Sequence, residues 1–130
     1  MKHKIVKDPV FRSAVLFYQC LDGKEATKHI RKMYSAKTDC SDITNTSFDG
    51  FAGTCIELFN TKTGLTDWFV WIRDKNDWKT MVHEASHLTF RVLDKRGVKY
   101  NSDNDETWCY LHEFFIREFW HVMTREAGKK

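Results

Sequence analysis

Residues Met81–Phe90 read MVHEASHLTF, and within them His83, Glu84 and His87 spell H-E-x-x-H. Imidazoles at i and i+4 of a helix lie one turn apart on one face, so two ring nitrogens can meet at a single metal ion. Zinc suits such a pair: it accepts histidine nitrogen and leaves a coordination position open when its protein ligands are few. Glu84 follows His83 directly and projects beside the metal, where its carboxylate can take a proton from a metal-activated water. A chain with six histidines produces this spacing by chance in about 1–2% of shuffles, so the surrounding elements must carry part of the argument.

Those elements place the motif well. A helix is expected from about Asp77 to Arg96, stopped by Gly97 as a C′ residue. Trp78, Val82, Ala85, Thr89 and Val92 form its sheet-facing stripe, and His83 falls roughly 140° round the helix from Trp78. The histidines then look into a cleft and not into the core. Ahead of the helix, FAGTCIELFN and DWFVWIRD flank TKTGLT and read as an antiparallel hairpin. In the second strand Trp68, Val70 and Ile72 point one way and Phe69 and Trp71 the other, so both faces are apolar and the strand is central. The first strand carries Thr54 and Glu57 and suits an exposed edge.

Further upstream, VFRSAVLFYQC reads as a strand and DGKEATKHIRKMY as an amphipathic helix. Asp22 and Glu25 have capping-box spacing, and Ala26, Ile30, Met33 and Tyr34 share a face. Residues 35–50 are polar and aperiodic and read as a loop. A last helix begins near Asp103 and continues past Val122. Residues 1–9 read as an N-terminal arm ending at the only proline, and 126–130 as a frayed tail. The expected fold is one α+β domain over 1–130, ordered β-α-β-β-α-α. Its sheet is small, three-stranded and mostly antiparallel, with the histidine helix packed beneath it.

Composition agrees with a single folded domain. Of 130 residues 42% are hydrophobic and 15% aromatic, far from the profile of a disordered chain. The net charge of +3 is spread along the sequence, so nucleic-acid binding is not expected. No apolar run is long enough to cross a membrane and no signal peptide is evident, which points to the cytoplasm. Cys20, Cys40, Cys55 and Cys109 form no C-x-x-C pair and read as buried thiols.

Zinc needs a third protein ligand, and the downstream candidates include Glu106, His112, Glu113 and His121. Simple hairpin geometry favours Glu113: the chain climbs about 15 Å from His87 to Gly97 and regains that height near Glu113. The spacing between His87 and Glu106, eighteen residues, instead resembles the gluzincins, metallopeptidases that read H-E-x-x-H, a spacer, then a glutamate on the next helix. It is similar to their aminopeptidase branch and to small H-E-x-x-H proteins of phages and prophages, over about Phe51 to Phe119. The resemblance implies a zinc metallopeptidase in which His83, His87 and Glu106 hold Zn²⁺ and Glu84 is the general base. Glu113 stays open as the alternative ligand, and Glu106 as a mere capping residue. Tyr110, a turn below Glu106, is placed to donate a hydrogen bond to a tetrahedral oxyanion. The expected partner is an extended peptide or protein substrate docked by strand addition near Thr54–Asn60. The alternative is a non-catalytic zinc-binding interaction protein, such as a phage host-takeover factor. The aromatic residues of the last helix read most simply as core.

Overall fold

The charged N-terminal stretch is a strand. Lys2–Lys7 forms β1 and pairs antiparallel with β2, Ala14–Gln19, from Lys2 opposite Gln19 to Lys7 opposite Ala14. Asp8 builds the turn between them. Its buried carboxylate accepts the backbone N–H groups of Val10, Phe11, Arg12 and Ser13, so a tight turn is closed without stranding its donors. Residues 1–9 are therefore no free arm: they hold the outer strand of the sheet, and lysines suit such an edge because charge discourages further pairing.

The computed structural model describes residues 1–34, 38–39, 48–60 and 63–125, with the side chains of 33–34 and 38–39 outside it. After β2 come α1 (Gly23–Tyr34), a two-residue β3 (Thr38–Asp39), β4 (Gly53–Asn60), β5 (Thr66–Ile72), α2 (Trp78–Lys95) and α3 (Asp105–Thr124). The strands lie in the order β1-β2-β5-β4-β3. β2 and β5 run parallel, and the remaining neighbours antiparallel. The fold is α+β, but the expected three-stranded, mostly antiparallel sheet is corrected. Four full strands and the short β3 make a mixed sheet, because β1 joins it and β2 pairs in parallel with the far strand of the hairpin.

β5 is central, and its alternation decides the layering. Trp68, Val70 and Ile72 join Val15 and Phe17 beneath α2 and α3. Phe69 and Trp71 join Leu16 and Tyr18 against Ala26 and Ile30 of α1. With both faces covered, the strand can be apolar throughout. The side chains of Met33 and Tyr34, most of the expected loop of 35–50, and the expected tail of 126–130 fall outside the described residues. Phe48, at the end of that loop, is buried edge-on against Trp71.

α2 starts where its cap allows. The Asp77 side chain accepts the Thr80 N–H at 3.1 Å, and the helix ends before Gly97, whose φ of 74° favours glycine. α2 packs on β4 and β5, α3 on β1 and β2, and the two helices pack on each other. The buried face of α2 runs through Met81, Ala85, Leu88 and Val92. Trp78, expected in the sheet-facing stripe, is 53% exposed. Cys20 and Cys55 are buried free thiols, Cys109 is an exposed one and so departs from the expected burial, and Cys40 lies outside the described residues. Among the described residues no helix is long and apolar enough to cross a membrane.

Candidate metal centre

His83 and His87 stand exposed on the outer flank of α2, with their Nε2 atoms 3.1 Å apart. A tetrahedral zinc with nitrogens at 2.0–2.1 Å would hold them about 3.3–3.4 Å apart, so the rings are already close to that spacing. The helix alone does this: one turn brings the side chains together on one face. Glu84 lies one residue round, where α2 turns towards β4. Ligand atoms of His83, Glu84 and His87 all lie within 4.8 Å of one another, and this is the only such cluster among the described residues.

Glu84 is the unusual member. Its side chain is buried, and Oε2 has no hydrogen-bond partner. Burial raises its pKa above the usual carboxylate value, against the lowering influence of His87, His83 and Arg91. A buried carboxylate oxygen without a donor is costly. Two convergent imidazoles beside it form a donor set that a metal cation fits, and such a cation would relieve that cost.

The three side chains open into a cleft of about 420 Å³ between α2 and the start of β4. Gly53 permits the close approach of the two. A Cβ there would lie 2.7 Å from Thr80 Cγ2 and 2.9 Å from the Trp71 carbonyl oxygen. The strand also offers hydrogen bonds to the cleft. The Ala52 carbonyl accepts from Arg73 N, and Asn60 N donates to Leu65, both on the β5 side. In an antiparallel ladder these groups alternate, so Gly53, Cys55 and Glu57 turn their N–H and C=O groups outward. β3 pairs only with Phe59 and Asn60. Arg91 already uses one of the outward groups: its Nη1 donates to the Cys55 carbonyl at 2.6 Å. Burial pushes the Cys55 thiol up to about 12, so this cysteine is no thiolate ligand.

The sequence motif therefore assembles, but its expected partners on the last helix do not join it. Glu106 is exposed in the first turn of α3 and outside the cluster. Glu113 is exposed and pairs with Arg117 at 3.1 Å. Tyr110 is 67% exposed. α3 meets α2 through His112, whose Nε2 lies 2.9 Å from Ser86 Oγ. At 100° per residue, Glu106 and Glu113 are turned about 100–120° from that contact, and Tyr110 about 160°. No α3 residue lines the cleft. Burial lowers the His112 pKa, which keeps the ring neutral at the helix contact. Arg91 was not singled out from the sequence, although a signal existed: it continues the His83–His87 stripe by one more turn.

Comparison with protein-family models, with curated proteins and with solved structures gives no match for this chain. The functional reading rests on the site itself.

Proposed function

We propose that the chain is a zinc-dependent metallopeptidase built on its H-E-x-x-H helix, with His83 and His87 as metal ligands and Glu84 as its general base. The observation that carries this is the buried, unpartnered Glu84 oxygen beside two imidazole nitrogens spaced for one ion. When bound, zinc would supply Lewis acidity, acidifying water and polarising a carbonyl. Glu84 Oε2 would take the proton from the attacking water and return it to the leaving amine. Arg91, fixed on the Cys55 carbonyl at the cleft wall, would present its remaining N–H groups to substrate oxygen, the task first expected of Tyr110. The outward groups of Gly53, Cys55 and Glu57 would align an extended peptide by strand addition. The free thiols Cys20, Cys55 and Cys109 suit a reducing, cytoplasmic setting.

The test is Glu84→Gln on the zinc-loaded protein with an unfolded protein as substrate. Zinc content is expected to stay and cleavage to fall by about 10²–10⁴-fold, the usual worth of a general base. Unchanged cleavage would remove Glu84 from the role. One observation favours a second reading, a zinc-binding interaction protein: α3 contributes no ligand to the pair. That reading expects no cleavage by the parent chain and no change in partner binding in the glutamine variant.

A further inference from the structure

Three aromatic rings stand together where α2 ends and the connection to α3 begins. The centroids of Phe90, Tyr100 and Trp108 are 6.1 Å (Phe90–Tyr100), 6.0 Å (Phe90–Trp108) and 5.6 Å (Tyr100–Trp108) apart. Their planes are inclined at 44°, 73° and 67°, so no two rings stack face to face. They help to line a concavity of about 410 Å³ together with Asp94 and Lys99. Phe90 is 52% and Tyr100 57% exposed, a large apolar area to leave wet around a hollow. Trp108 is held from behind: its ring packs on His112 at 4.7 Å, and His112 is fixed by Ser86.

We propose that this cup binds an organic ammonium group, such as a quaternary amine or the alkylated side chain of a lysine. A point within about 5 Å of all three centroids exists, inside the roughly 6 Å reach of a cation–π contact. Apolar substituents on the nitrogen would cover the exposed rings, while the charge is drawn to the ring faces. Asp94 supplies the matching carboxylate, and among the described residues it is in no ion pair. Lys99 lines the same cup with the opposite sign, also unpaired among the described residues. The two residues therefore make opposite predictions for a cation. The proposal does not depend on a metal at His83 and His87.

The experiment titrates the full chain with choline and, separately, with 3,3-dimethylbutan-1-ol, its uncharged carbon isostere, following the Trp108 indole N–H by NMR. Choline is expected to bind saturably and at least about fivefold more tightly than the alcohol, as a cation–π contribution requires. Tyr100→Leu, at an exposed position, should weaken choline about three- to fivefold, Asp94→Asn should weaken it about twofold, and Lys99→Ala should tighten it. Thermal melts keep loss of binding separate from loss of fold. Equal affinity for choline and the alcohol would make the cup a plain apolar hollow and overturn the proposal. So would absence of saturable binding, or a Lys99→Ala change that weakens the cation.

Discussion

Two histidine pairs stand at almost the same separation in this chain. His83 and His87 have ring centroids 4.7 Å apart, His3 and His29 4.5 Å. The first pair turns its Nε2 atoms towards each other at a cleft, with a buried carboxylate beside them. The second is built round Tyr18. The Tyr18 hydroxyl lies 2.6 Å from His29 Nδ1, and the His3 ring stacks on the tyrosine at 5.5 Å. Arg125 donates to the His3 carbonyl, and burial, His29, Arg125 and the N-terminus all lower the His3 pKa. Proximity of two imidazoles is thus not what makes a metal site. The difference lies in where the ring nitrogens converge and in the buried carboxylate beside the first pair, which invites a cation although Arg91 lines the same cleft.

The largest effect should come from removing a nitrogen of the first pair. His83→Ala and His87→Ala are each expected to lower zinc affinity by more than the ~10–100-fold that a supporting group costs. His3→Ala and His29→Ala should leave it within about twofold, since neither touches the ion. Zinc content after competition with a chelator measures both arms. Equal losses in the two pairs would mean the comparison has no content. A second, smaller effect concerns the wall that makes the first pair a cleft. Gly53→Val would drive methyl groups into Thr80 and the Trp71 carbonyl. We expect a loss of about 1–3 kcal/mol in urea unfolding, as for other overpacked sites, together with weakened zinc binding. Wild-type stability in that variant would show that β4 does not hold α2 so closely.

Much of this was readable from residue types. The alternation of β5, the helix start near Asp77, the Gly97 stop and the H-E-x-x-H face are local patterns. β1 was not readable as a strand because lysines at 2, 4 and 7 mask the pairing of an edge, and Asp8 closes its turn through carboxylate bonds to the N–H groups of Val10 to Ser13, which no turn motif announces. The position of the last helix relative to the histidines was not legible for a different reason. Spacing fixes how far along the chain a glutamate stands, not which flank of α2 the next helix takes. That choice follows from packing: Phe115 and Phe119 draw α3 onto Phe17 and the β1–β2 side, away from the cleft.

Protonation offers a finer probe of the second pair. The folded pKa of His3 lies below its ordinary value of 6.5. Between the two values the unfolded chain binds more protons, so stability rises with pH across that window and falls as pH drops below about 6.5. Replacing His3 by Phe removes the titration and keeps a ring over Tyr18. The fall in melting temperature between pH 7 and pH 5 should then be shallower than in the parent chain. An unaltered or steeper fall would show that His3 is not held neutral by burial and its cationic neighbours.

The smallest expected effect is the one that separates spacing from packing. Gluzincin-like spacing makes Glu106 a ligand, and hairpin arithmetic makes it Glu113. In the structure both are exposed on α3, seven residues apart on one face, and that face is turned about 100–120° from the Ser86–His112 contact. The histidines are turned about 60–100° from Ser86 round α2, towards the β4 cleft. Neither carboxylate joins the His83–Glu84–His87 cluster or lines the cleft. Glu106→Ala and Glu113→Ala are each expected to change zinc affinity by less than about threefold, the range of a screened surface charge. If Glu106→Ala strips the metal while melting temperature holds, α3 docks differently in the metal-bound protein, and the family spacing would be the better guide to the site.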